Sequence, residues 1–169
     1  MCNVKTKKRM KYKQNLKYLG IYQIIGGILG LIISLLSIGV LNRLNGGHLL
    51  IYLIILSLYS FSFYCGYLLY RGEYSKGINL SIYNNFIQII GFGIVNYSFK
   101  YVSGIFAGVY LDLTHDTKFG LDLGISTWEL SLNSNSGSLL VNFNFIALLI
   151  LNYLVNVKEK LEKQIIDLT

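Results

Sequence analysis

Residues 19–41 read LGIYQIIGGILGLIISLLSIGVL, a run with neither a charge nor a proline. At about 1.5 Å of helical rise per residue it is long enough to cross a hydrocarbon core roughly 30 Å thick. Immediately before it stand Lys5, Lys7, Lys8, Arg9, Lys11, Lys13 and Lys17, and the next charge after it is Arg43. A secretory signal shares such a basic start, and Ser37 and Gly39 have the small-residue spacing of a cleavage site. Signal cores run only about 7–15 residues, however, so this longer run is expected to stay as a membrane helix.

The rest of the chain agrees with that reading. Hydrophobic residues make up 53% and charged residues 14%, with mean hydropathy +0.51, where soluble domains carry about 25% charged residues. Residues 49–70 form a second charge-free run. Residues 78–99 form a third, more polar, with Asn79, Asn84, Asn85, Gln88 and Asn96. Residues 139–157 form a fourth, which opens with Asn142 and Asn144. A helix starting only near Phe143 would leave that span short.

Orientation follows from the lysines and arginines, which favour the cytoplasmic side. With the N-terminus inside, the inner segments hold the seven cations above plus Arg71, Lys76, Lys158, Lys160 and Lys163. The outer segments hold only Arg43, Lys100 and Lys118. The formal net charge of +7 therefore reads as an orientation signal. No nucleic acid is expected as a partner, since no base-reading motif accompanies the charge. The basic N-terminus is expected to lie along anionic headgroups of the bilayer.

One segment has a different period. Val109, Leu111 and Leu113 alternate with Tyr110, Asp112 and Thr114; Phe119, Leu121, Leu123 and Ile125 alternate with Gly120, Asp122, Gly124 and Ser126. After a break at Ser126-Thr127, Trp128, Leu130 and Leu132 alternate with Glu129, Ser131 and Asn133. Alternation of this length predicts half-buried strands. His115 to Lys118 and Asn135-Ser136-Gly137 read as turns, and residues 139–143 as a further strand leading into the last helix.

The expected architecture is thus an α-helical integral membrane protein, a four-transmembrane-helix bundle. A three- to four-stranded antiparallel β insertion lies on the outer side between helices 3 and 4. Residues 1–18 form a basic cytoplasmic tail, and residues 19–102 hold helices 1–3 with short loops. Residues 103–143 form the outer β-rich segment, and 144–169 form helix 4 with a cytoplasmic helical tail. The expected location is a bacterial inner (plasma) membrane with both termini cytoplasmic.

Motifs for chemistry are sparse. No Cys-x-x-Cys pair accompanies Cys2 and Cys65, which read as free thiols. Asp112, His115, Asp116 and Asp122 fit no metal-ligand spacing, and a solvated turn is the simpler reading. No nucleophile elbow, phosphate loop or dinucleotide fingerprint occurs. No enzyme, metal or cofactor is expected.

Two polar or small-residue patterns remain. Asn84, Asn85, Gln88 and Asn96 would put a polar face on the third span, suited either to lining a pore or to holding helices together by hydrogen bonds. Gly26, Gly30 and Ser34 form a small-xxx-small stripe that lets helix backbones approach. Leu111, Leu121, Leu123, Trp128 and Leu130 share the apolar sheet face and, with the stripe, are the candidates for association. The expected function is a non-enzymatic accessory subunit or regulator, as a homo-oligomer or beside another membrane subunit. The alternative is a passive channel, carrier or membrane-permeabilising effector that uses the polar face of helix 3.

Overall fold

A computed structural model describes residues 2–38, 46–95, 97–114, 117–132 and 138–166. Asn96, His115, Asp116 and the turn at 135–137 lie outside them, as do the side chains of the first eleven residues. Helix α1 spans Cys2–Ile38, so the basic segment and the first apolar run are one continuous helix. Helix α2 spans Gly46–Arg71 and α3 spans Tyr74–Ile87. Six strands follow: β1 Ile90–Val95, β2 Tyr97–Tyr101, β3 Ile105–Asp112, β4 Lys118–Ile125, β5 Trp128–Leu132 and β6 Ser138–Asn144. Helix α4, Phe145–Ile166, is the last described element.

Local chemistry sets the boundaries. α2 ends where Gly72 takes φ +88°, a left-handed backbone that costs a glycine little. Gly72 N then donates to Leu69 O and Glu73 N to Leu68 O, the paired bonds of a Schellman cap. α4 begins at a side-chain cap, with Asn144 Oδ1 accepting from Ile146 N at 3.1 Å and Ala147 N at 3.2 Å.

Two of the four expected spans are corrected. Among the described residues, only Tyr12–Ile38 and Gly46–Arg71 are helices long and apolar enough to cross a membrane. Residues 78–99 are not one helix. α3 stops at Ile87, and Gly91 and Gly93 alternate with Ile90, Phe92 and Ile94 in β1. Each glycine would cost a helix interior about 1 kcal/mol, whereas both are buried on the sheet's inner face. A Cβ on Gly91 would lie 3.2 Å from that of Lys100. In the fourth run, residues 139–144 belong to β6, which leaves α4 an apolar stretch of about 20 Å before Lys158.

The expected three- or four-stranded meander is likewise a six-stranded antiparallel sheet, in the order β4-β3-β6-β1-β2-β5. β3 and β4 pair as a hairpin, but β5 pairs with β2, and β6 lies between β3 and β1. The extra strands come from the segment that reads as a third helix.

This sheet is rolled. Its edges are β4 and β5, and in a flat sheet they would stand about 24 Å apart. Only Ser126 and Thr127 join them, a link that spans at most about 11 Å. Lys100 on β2 and Asp122 on β4 are four places apart in the order, yet Lys100 Nζ lies 2.6 Å from Asp122 Oδ2. The face that carries these two residues is therefore the inner one.

The strand register assigns each residue to one face. Facing outward are Phe119, Leu121, Leu123 and Ile125 on β4, matched to Leu111, Val109, Ala107 and Ile105 on β3. Val141 and Phe143, Phe92 and Ile94, Tyr97 and Phe99, and Leu130 continue the same face across the other strands. Facing inward are Gly120, Asp122 and Gly124, Gly108 and Tyr110, Asn142, Gly91 and Gly93, Ser98 and Lys100. Phe106 and Leu140 also face inward, so the outer face is apolar throughout while the inner one is mostly polar or small.

Two clusters hold sheet and helices together. At the basic end, Leu16, Leu69, Ile78, Leu154 and Val157 bring all four helices into one apolar core. Further along, the sheet takes the place of α3 and α4. There Ile55, Tyr59 and Tyr101 form the core, with Leu31, Phe99, Trp128 and Leu130 packed against it.

Candidate functional site: the polar interior beneath the rolled sheet

Where the sheet meets the helices, a layer of uncharged polar side chains is buried. Gln23 comes from α1, Ser62 from α2, Ser81, Asn84 and Asn85 from α3, and Gln88 from its C-cap. Ser103 and Ser126 come from the two links at the near end of the strands. Asn84, Asn85 and Gln88 recur at helical spacing, so one face of α3 points into this layer.

Ser62 Oγ is the hub, accepting from Asn84 Nδ2 at 3.1 Å and Ser103 Oγ at 2.8 Å. Gln88 Oε1 accepts from Ser103 N at 2.8 Å, and Gln88 Nε2 donates to Asn84 O. Tyr101 Oη lies 2.8 Å from Leu58 O and 3.3 Å from Asn84 Oδ1. Ser81 Oγ donates to Gln23 Oε1 at 2.9 Å, and Asn85 Nδ2 donates to Ser81 O. A buried polar group left unbonded costs a few kcal/mol, so the layer holds the sheet to the helices through reciprocal bonds. Gln23 Nε2 and, on the sheet's inner face, Ser98 Oγ are buried with no hydrogen-bond partner.

The links at the near end are stitched to each other and to α1. Ser126 N donates to Gly104 O at 2.7 Å, Val102 N to Thr127 O at 2.9 Å, and Gly104 N to Ser126 Oγ at 3.0 Å. Ser126 Oγ in turn donates to Gly26 O. Ser126 holds φ +38° to do this, an uncommon backbone for a residue with a side chain. Tyr22 Oη accepts from Ile105 N at 3.0 Å, and Tyr59 Oη donates to Val102 O.

The small-residue stripe is covered within the chain. A Cβ on Gly26 would meet Gly104 N at 2.6 Å, and one on Gly30 would fall inside the Tyr59 ring. Ser34 is buried and donates to Gly30 O at 2.7 Å. Gly20 and Gly66, which the sequence reading does not single out, bring α1 and α2 together in the same way. Their signal was present as small residues on the contact faces of two apolar helices.

The sheet-face residues divide into two groups. Trp128 and Leu130 pack on the helices, with the Trp128 ring edge-on to Tyr52 at 5.5 Å. Leu111 is half-buried. Leu121 and Leu123 are 77% and 76% exposed. Sequence reasoning missed Lys100, which alternation alone leaves in an outer loop. It sits inside the roll, paired with Asp122 and 4.4 Å from the Phe106 ring centroid.

At the far end of α2, Ile38, Leu49, Tyr52, Leu53 and Leu56 line an apolar cleft of about 430 Å³. Cys65 is buried as a free thiol. Among the described residues, no group of three or more His, Cys, Asp or Glu side chains is placed to hold a metal ion. No family model matches the chain, and neither a curated protein nor a solved structure is significantly similar to it.

Proposed function

We propose that this chain is a multi-pass integral membrane protein that works by association in the bilayer, as a non-enzymatic accessory subunit or regulator. One observation carries the membrane reading. The apolar windows of α1 and α2 are only 28% and 33% buried, whereas an equally apolar core helix of a soluble protein is mostly enclosed. Their exposed residues include Ile25, Ile32, Leu36, Leu50 and Leu53, a skin that water does not tolerate at this extent. The cation bias favours cytoplasmic termini. Association is favoured by broad apolar surfaces beside an interior whose polar groups, Gln23 Nε2 and Ser98 Oγ apart, bond mostly to one another and to the backbone.

Carbonate extraction tests integration: the protein is expected to stay in the membrane pellet. Native mass in mild detergent then tests association, with recovery as a homo-oligomer or with a second membrane protein expected. A lone monomer would remove the association reading.

A second reading, a passive channel or carrier, rests on the polar interior and on the unsatisfied Gln23 Nε2 and Ser98 Oγ. It expects Gln88→Leu or Asn85→Leu to change solute flux in liposomes while the protein still inserts. Unaltered or absent flux would discard it.

A further inference from the structure

We infer that the rolled sheet is not an extramembrane cap but is immersed in the bilayer, with acyl chains covering its outer face. The inference rests on the membrane reading of α1 and α2 and adds the depth of the sheet and the identity of what covers it.

Depth comes from where the strands are fastened. Their near ends bond to Tyr22 and Gly26 of α1 and to Leu58 and Tyr59 of α2. All four residues lie inside the charge-free runs. Gly26 stands about 10 Å along the helix from residue 19, where the apolar run begins. From that level β2 and β5 continue beside the outer parts of α1 and α2, where Phe99 and Leu130 share a cluster with Leu31 and Ile55 and the Trp128 ring lies edge-on to Tyr52. The eight tilted residues of β3 or β4 add roughly 20–25 Å, so the sheet ends near the level where α1 itself ends. A hydrocarbon core roughly 30 Å thick that holds α1 and α2 must hold most of the sheet too.

Polarity agrees with depth. The outward residues of β4, β3 and β1 carry no charge, and Phe119, Leu121, Leu123, Ile125, Ile105 and Phe92 are all exposed. This skin continues the exposed apolar surface of α1 and α2. The three charges at this level, Lys100, Asp122 and Glu129, all lie on the inner face by register, and Lys100 pairs with Asp122, as intramembrane charges do. At the far ends of β3 and β4 the described flanking residues Thr114 and Thr117 are polar. That is the order expected where a barrel wall meets the opposite headgroups.

The test is fluorescence quenching in liposomes of phosphatidylcholine and phosphatidylglycerol, using the full chain with Cys2→Ser and Cys65→Ser. An environment-sensitive thiol label is placed through Leu121→Cys or Leu123→Cys, both on open surface. Ile32→Cys on α1 serves as the lipid reference and Thr117→Cys as the aqueous one. Quenching of the Leu121 and Leu123 labels by acyl-chain doxyl lipids, as strong as at Ile32, with protection from iodide, is the expected result. Iodide quenching at Leu121 and Leu123 while Ile32 answers only to doxyl would overturn the immersion and leave the membrane reading standing. Protection from both quenchers would also overturn it, since protein and not lipid would then cover the face. Failure of doxyl lipids at Ile32 would remove the membrane reading itself, and the immersion with it.

Discussion

The two ends of this molecule are built with opposite polarity. At the basic end Leu16, Leu69, Ile78, Leu154 and Val157 are enclosed by four helices, while Lys13, Lys17, Arg71, Lys76 and Lys160 are exposed. At the sheet end the order reverses: Gly91, Gly93, Ser98 and Ser103 are buried, while Phe119, Leu121 and Leu123 are exposed. Each arrangement is stable only in its own solvent, since burial of apolar groups stabilises a protein in water and has little value in hydrocarbon. The inversion falls along the axis of α1 near residues 18–20. On the membrane reading proposed above, the water boundary falls at that level.

The largest expected effect breaks the comparison at its water-facing end. Leu69→Ala or Leu154→Ala should cost about 2–5 kcal/mol, the range for emptying a packed core site. Leu121→Ala or Leu123→Ala should stay within about 0.5 kcal/mol, as for surface positions without a special role. Unfolding in detergent micelles or bicelles reads both. Equal losses at the two ends would mean that Leu121 and Leu123 are packed against something in the assembled protein.

Next comes the ion pair inside the roll. Asp122→Ala leaves Lys100 beside the Phe106 ring without its carboxylate. Breaking a buried pair costs about 3–5 kcal/mol, and the lower end applies because the Asp122 side chain is 33% exposed. Replacing both residues by leucine should restore most of that loss, since a matched apolar pair needs no desolvated charge. Should the double variant stay as unstable as the single one, the bridge would be positioning the β4 edge by geometry that leucine cannot supply.

What the sequence made legible, and what it hid, follows from period and length. The first two spans needed only a charge-free run, and the period-two alternation of 109–114 and 119–126 pointed to β4 and to the second half of β3. β1 was hidden because Ile90, Phe92 and Ile94 alternate with glycine instead of with polar residues, so that stretch looks apolar throughout and reads as helix; β2, where Tyr97, Phe99 and Tyr101 alternate with Ser98 and Lys100, has the strand period but was absorbed into the end of the same run. The pairing of β5 with β2 was hidden for another reason. Ser126-Thr127 has the length of a hairpin turn, and nothing local reveals that the sheet rolls until its edges meet. The polar interior was half legible: helical spacing put Asn84 and Gln88 on one face, but Ser62, Ser103 and Tyr101 reach them only through the fold.

A smaller effect sharpens the comparison at the sheet end. Leu121→Arg puts a charge on the outer wall, where a barrel loses about 2–4 kcal/mol at mid-depth and about 0–1 near the headgroups. The loss at Leu121 should exceed the loss from Thr117→Arg, nearer the strand turn. Equal, small losses at both positions would place the wall in water.

The smallest effect separates the two functional readings of the polar interior. Asn84 Nδ2 donates to Ser62 Oγ at 3.1 Å across the α2–α3 contact. A double-mutant cycle with Ser62→Ala and Asn84→Leu should give a coupling near 0.6 kcal/mol, the average for hydrogen bonds between membrane helices. Such a value, with no change in liposome permeability, is what a polar layer used as an adhesive between helices and sheet produces. Coupling indistinguishable from zero would mean that water competes for Ser62 and Asn84 in the folded protein. Water at that depth has to enter between the helices or down the inner face of the sheet, past Ser98 and Lys100. The interior would then be a hydrated path, and the carrier reading would displace the association one.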